Sequence, residues 1–248
     1  NIKDYTINDD GTIDVDGGVI LSSYRLNELP LKFNKVTGQF NCSSNKLTSL
    51  KGCPKYVGGI FFCSNNYLTS LEHAPEKVGS HYICSNNKLT SLEGGPKYVS
   101  GSFDCANNIL VDLKEGPERI SDSLFCQYNK LTSLEGSPKN IVNGFSCYNN
   151  ELTSLEGGPK SVGSDYNCSV NKIINFKGYP DYIGDKFNFF NNPIAFISDE
   201  IDIEFVKAFN ALKVLKDNTI NLKRLKYVME IFDKRIWLKN IKKNYEVQ

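Results

Sequence analysis

Residues 86–108, NNKLTSLEGGPKYVSGSFDCANN, and residues 128–150, YNKLTSLEGSPKNIVNGFSCYNN, are two copies of one unit. The unit recurs along most of the chain. Cys42, Cys63, Cys84, Cys105, Cys126, Cys147 and Cys168 each follow the last by 21 residues. The same step carries Asn45, Asn66, Asn87, Asn108, Asn129, Asn150, Asn171 and Asn192, and also Pro54, Pro75, Pro96, Pro117, Pro138, Pro159 and Pro180. Three independent columns in one register define an internal repeat, which sets the architecture before any local propensity is weighed.

Apolar columns extend the array at both ends. One runs from Val19 through Phe40, Phe61, Tyr82, Phe103, Leu124, Phe145 and Tyr166 to Phe187; others run from Leu26 to Ile194, from Leu29 to Ile197 and from Val15 to Ile183. Each coil reads F-x-C-x-x-N-x-L-x-x-L-x-x-x-P-x-x-V, with the L-x-L-x-x-N-x-L kernel of a leucine-rich repeat and Cys at one Leu position. At F-x-C two side chains point inward and one outward, as in a short strand. The expected fold is therefore a β-rich solenoid of about nine coils, a leucine-rich-repeat stack with a parallel sheet on its concave face. The Asn amide suits backbone groups left open where the chain turns off the strand. Pro fixes the extended return, and the Gly after it permits a tight bend.

Both quoted segments resemble the repeats of leucine-rich-repeat proteins encoded by tailed bacteriophages. The opening DYTINDDGTIDVDG and the closing NNPIAFI followed by helices are similar to that family too, so the resemblance covers essentially the whole chain. More distantly, N-x-L-T-S-L resembles the repeats of secreted bacterial effectors that carry ubiquitin-ligase domains. That second likeness implies a catalytic Cys in the helical region, yet no Cys follows Cys168.

The ends depart from the repeat. Ile2 to Val15 holds D-D-G-T between alternating Thr and Ile, which predicts a hairpin-like cap over residues 1–14. The solenoid is expected over 15–197 and a two-helix cap over 198–248. Phe205, Val206, Phe209, Leu212 and Leu215 share one helical face, as do Leu222, Leu225, Met229, Phe232 and Ile236. Asp217-Asn218-Thr219 separates the two helices and is expected to cap the second. No apolar run approaches a membrane span, and the first residues lack the basic and apolar regions of a signal peptide. A cytoplasmic protein without membrane contact is expected, in the host cytosol if the phage resemblance holds.

Composition is that of an ordinary globular chain, with 40% hydrophobic residues, 23% charged residues and a net charge of +1. It excludes collagen-like, disordered and strongly basic nucleic-acid-coating proteins. Stacked thiols facing a dry core behave as small hydrophobes, so the Cys column reads as structure and not as a metal site. Cys53, outside the column and beside Pro54, reads as loop filler at an exposed position. With only His73 and His81, and no G-x-S-x-G, H-E-x-x-H or phosphate-cradling glycine motif, no catalytic residues and no cofactor are expected.

The outward-pointing strand positions carry the functional signal. The central column runs Ile20, Asn41, Phe62, Ile83, Asp104, Phe125, Ser146, Asn167, Asn188, and Ile20, Phe62, Ile83 and Phe125 are out of place on a solvated face. The column two residues on is mostly Ser but becomes Gln127, Tyr148 and Phe190; the next is mostly Asn but contains Tyr128. The column before the strand includes His81 and Asp165. Phe62, Ile83, Asp104, Phe125, Gln127, Tyr128, Tyr148, His81, Asp165 and Phe190 are thus the expected partner-binding set, since interfaces centre on aromatic anchors with polar neighbours. The expected function is a non-enzymatic scaffold, with a host protein as the partner implied by the phage resemblance. Alternatives are a virion-associated or adhesive glycan-binding module and small-molecule sequestration. Lys46, Lys88, Lys130 and Lys172, and the eight Lys/Arg from Lys223 onward, read as solvated faces, without the motifs that accompany nucleic-acid binding.

Overall fold

The computed structural model describes residues 4–196, 201–216, 218–235 and 238–248. Ile197, Asp217 and Ile236, given roles above, lie outside them, as do Ile2 and Ser198. Each coil contributes a strand to each of two sheets. Nine two-residue strands, from Val19–Ile20 through Phe61–Phe62 and Leu124–Phe125 to Phe187–Asn188, pair in parallel in chain order, with every register stepping by one repeat. The protein is a parallel-strand solenoid of leucine-rich-repeat type, as the column spacing predicted.

The second sheet forms from the x-V column. Ile13–Val15, Phe33–Val36, Tyr56–Val57, Lys77–Val78, Tyr98–Val99 and Arg119–Ile120 run side by side, and Tyr5–Ile7 pairs antiparallel with Ile13–Val15. The predicted hairpin exists, but it extends this sheet instead of lying across the first coil. Its second strand crosses the expected 14/15 boundary. Pairing then stops, and Asn140–Ile141, Ser161–Val162 and Tyr182–Ile183 form a separate three-stranded sheet. The residue after most of these strands bonds the preceding coil: Gly58, Gly79, Gly163 and Gly184 donate their N–H groups at 2.9–3.0 Å, and Thr37 and Ser121 do so at 3.0 Å. At the break the same position is occupied by Val142, the one large apolar residue in this column.

The core lies between the sheets. Rings of the Phe column stack along the axis, Phe40 on Phe61 at 6.0 Å, Phe61 on Tyr82 at 5.0 Å and Tyr82 on Phe103 at 5.4 Å; Leu124 interrupts them before Phe145 and Tyr166 resume at 4.9 Å. The Cys column is fully buried, and Cys42, Cys84 and Cys126 direct Sγ at backbone carbonyls 3.3–3.4 Å away. Cys53 corrects the reading of an exposed loop thiol. It is buried, only 8% exposed, because its column faces inward beside the Leu rows. Burial raises the thiol pKa values of Cys53, Cys63, Cys84, Cys105, Cys126, Cys147 and Cys168, which leaves them as inert apolar groups.

The Asn column joins neighbouring coils. Asn108 Oδ1 accepts from Leu89 N–H at 3.0 Å, while Nδ2 donates to Cys84, Cys105 and Ala106 carbonyls at 3.3, 3.0 and 3.2 Å. The same pattern repeats at Asn66, Asn129, Asn150 and Asn171.

At the C-terminal end, helices α1 (Ile203–Ala211), α2 (Leu222–Ile231) and α3 (Leu238–Asn244) are joined by a small sheet of Leu215–Lys216, Thr219–Ile220 and Glu246–Val247. The sequence predicted two helices; the third and the small sheet are additions. The cap of α2 is Asn221, whose side chain accepts from Arg224 N–H, and not the 217–219 segment, because Thr219 is drawn into the small sheet. Phe205, Val206, Phe209, Leu225 and Met229 are buried as their spacing predicted. Phe176 meets Phe209 at 5.3 Å, and Tyr245 Oη donates to Ile174 O at 2.8 Å, so the helices cover the last coil.

Candidate partner-binding face

The outward column of the nine-stranded sheet is where the sequence placed it. Phe62 pairs with Ile83, Ile83 with Asp104 and Asp104 with Phe125, so four consecutive coils present these side chains in one row about 15 Å long. Each is half-buried by its neighbours. The polar members of the column have a second employment. Asn41 Oδ1 accepts from Ser43 N–H and Oγ–H, Asn167 does the same with Ser169, and Asp104 Oδ1 accepts from Ala106 N–H at 3.0 Å. They close a local turn at the strand end. Phe62, Ile83 and Phe125 make no such bond, so local structure does not account for their choice.

The second cluster lies toward the C-terminal coils. Tyr128 and Tyr148 meet edge to face at 5.0 Å, and a hydrogen bond between their hydroxyls, with a smaller effect of burial, raises the pKa of Tyr148. Beside them Gln127 is half-buried, and its Oε1 is enclosed without a hydrogen-bond partner. Phe190 is 55% exposed.

One feature of this cluster escaped the sequence reading. The residue before each ladder Asn sits in the left-handed region, with Ser44 at φ 56°, Asn65 at 55°, Asn86 at 57° and Asn107 at 54°. Asn and Ser tolerate that conformation. Tyr128 holds φ 55° and Val170 φ 54° in the same column, and both are exposed. A β-branched residue there is strained by about 1–2 kcal/mol. Val170 therefore joins the cluster; the available signal was a β-branched residue in an Asn column.

His81 and Asp165 sit on the rim. His81 Nδ1 accepts from Ser102 N–H at 2.9 Å, which puts the neutral ring's proton on Nε2. Asp165 is exposed and accepts from Lys186 N–H at 3.1 Å. Ser102 Oγ donates to Asp122 Oδ2 at 2.7 Å, and Asn143 Nδ2 to Asp122 Oδ1 at 2.6 Å; these bonds lower the pKa of Asp122. Ser102, His81 and Asp122 are neighbours, yet the serine hydroxyl is bonded to the carboxylate and not to the imidazole, so the order of bonds is not that of a base-activated nucleophile. Among the described residues no group of three His, Cys, Asp or Glu is placed to hold a metal ion, and no helix is long and apolar enough to cross a membrane.

No protein-family model matches the sequence, and no curated protein matches it either. Among solved structures the chain is similar to YopM from Yersinia enterocolitica WA-314, at 19% identity and a TM-score of 0.40, over 72% of this chain and 50% of that one. The chain thus spans about half the length of that protein.

Proposed function

We propose that the protein is a binding scaffold that acts by stoichiometric contact, with the outward face of the nine-stranded sheet as its interface to another protein. The observation that carries this reading is the row Phe62, Ile83, Phe125, three large apolar side chains in a column where Asn41, Asp104 and Asn167 are polar and locally hydrogen-bonded; Ile20, exposed on the first coil, is a fourth apolar member. Strain at Tyr128 and Val170 supports it, because residues that cost backbone energy persist where their side chains are used. The Tyr128, Tyr148 and Phe190 rings supply anchors of the kind that dominate interface energetics. The resemblance to phage repeat proteins supports a host protein as the partner, blocked or sequestered in the host cytosol, with a component of antiviral defence as the target.

The test is a pull-down with tagged protein from host lysate beside the Phe62→Ala/Ile83→Ala/Phe125→Ala variant, read by mass spectrometry. A host protein retained by wild type and lost by the variant, at an unchanged thermal midpoint, is the expected result. Equal retention by both would remove the proposed face.

A further inference from the structure

The outward side of the second sheet carries an alternation that protein binding by the opposite face does not use. Lys35, Tyr56, Lys77, Tyr98 and Arg119 occupy equivalent positions on five successive strands of one continuous sheet. Cation and aromatic ring alternate with a period of two coils. Two steps of the strand spacing place successive Tyr backbones about 10 Å apart, and successive cations likewise. Tyr56 and Tyr98 are 39% and 51% exposed, and the groove between them, about 490 Å³, has Lys77 on its wall with Gly79, Gly95 and Pro96 along it. The Tyr98 hydroxyl lies 3.2 Å from Ser121 Oγ, which fixes that ring before any ligand arrives. Lys35 Nζ rests 5.9 Å from the Tyr56 centroid at the outer end of the row.

The spacing of about 10 Å between the two Tyr positions, two strand steps, matches the repeat of one disaccharide in an extended β-linked glycan. The apolar C–H face of a pyranose lies well on a tyrosine ring, whose face is electronegative. Lys77, midway between the rings, and Arg119, one step beyond Tyr98, then fall opposite every second sugar. We propose that this row binds an extended acidic polysaccharide whose disaccharide repeat carries one carboxylate, with Tyr56 and Tyr98 stacking on alternate sugars, Lys77 pairing with the carboxylate between them and Arg119 with the next. The alternation ends at Asn140, where the sheet also breaks, so the footprint is about two disaccharides.

Charge density selects a glycan over a nucleic acid. The row beside the ladder holds Lys55 and Lys97 but also Glu76 and Glu118, and Glu115 engages Lys97 at 3.2 Å. Glu76 lines the groove together with Lys77 and Lys97, so every ligand anion beyond the one that Lys77 holds meets a carboxylate there. One carboxylate per disaccharide keeps such encounters few; a phosphate on every nucleotide multiplies them.

The experiment titrates a fluorescent hyaluronan octasaccharide, which alternates glucuronate with N-acetylglucosamine, against the full chain. Neutral chitohexaose and an oligothymidylate serve as comparison ligands. Wild type is expected to bind the octasaccharide, more weakly at high salt, and to bind chitohexaose about tenfold less tightly. Tyr56→Ala/Tyr98→Ala and Lys77→Gln/Arg119→Gln should each weaken binding by about tenfold or more at an unchanged thermal midpoint, whereas Tyr56→Phe/Tyr98→Phe keeps the rings and should retain it. The Phe62→Ala/Ile83→Ala/Phe125→Ala variant should bind the octasaccharide as wild type does, which separates this site from the protein-binding face. The proposal is overturned if wild type does not bind the octasaccharide, if binding survives both double variants, or if the oligothymidylate binds more tightly and is released by the same substitutions.

Discussion

The two sheets are built from the same coils, yet one runs unbroken through nine strands while the other stops after Arg119–Ile120. The difference lies in what joins one coil to the next. Beside the nine-stranded sheet every junction has backbone bonds plus an asparagine whose amide reaches two coils. The second sheet has backbone bonds and only scattered side-chain bonds between coils, such as Asn34 to Asp14 and Tyr98 with Ser121, and its pairing is lost at the junction that carries Val142. A side-chain bond repeated at every junction tolerates drift in its neighbours; bonds present at only some junctions do not.

The largest expected effect calibrates the core that both sheets share. Leu110→Ala should destabilise by about 2–5 kcal/mol in urea unfolding, because Leu110 is fully buried and the stacked coils cannot collapse into the cavity. A loss below about 1 kcal/mol would mean the interior is loosely packed. Asn108→Ala comes next, at about 3 kcal/mol, since it strips partners from buried backbone groups on two coils. If it proved as harmless as a surface change, the asparagine column would not be what distinguishes the first sheet.

Gly163→Val drives a side chain into the Val142 carbonyl and carries the break into the three-stranded sheet, with an expected cost of about 1–3 kcal/mol. Hydrogen exchange should show faster exchange at the amide of residue 163, which bonds Ile141 O at 3.0 Å in the native chain, while Tyr166, bonded to Lys186 O at 2.8 Å, keeps its protection. Equal loss at both amides would show the sheets opening as one unit. Val170→Asn should raise stability by about 1 kcal/mol by relieving the left-handed strain, and should weaken partner capture. Greater stability with unchanged capture would remove Val170 from the interface. The smallest effect belongs to Asp104→Ala, at most about 1 kcal/mol, because only the turn bond to Ala106 N–H is lost from an outward position. A loss as large as that of Leu110→Ala would mean that inside and outside had been exchanged.

Much of this was legible because a repeat converts a three-dimensional fact into a column. Cys105 and Leu110 read as core because their columns are repeated with only small variation, and Phe62 reads as outward because period-2 alternation sets its variable column between two inward ones. Asn108 was legible as a turn residue, though not as a bridge between coils. Cys53 misled, because its column continues as Ala74, Gly95, Gly116, Ser137, Gly158 and Tyr179, with no repeated apolar residue to mark it as inward, and only the packing against the Leu rows shows that it is buried. Thr219 misled as part of a cap since local preference for a helix start was outweighed by pairing of Thr219 and Ile220 into a sheet.

The sequence by itself determined the solenoid, its parallel strands, which side chains face in, and the row Phe62, Ile83, Phe125. These follow from periodicity, which is local information repeated. Only the tertiary structure decided that Tyr128 and Val170 hold a left-handed backbone, that His81 accepts a backbone N–H from the following coil, that the second sheet breaks at Val142, and that Lys35, Tyr56, Lys77, Tyr98 and Arg119 stand in one continuous line. Each depends on the contact of one coil with the next, where exceptions to the repeat are felt and where a linear pattern holds no distance.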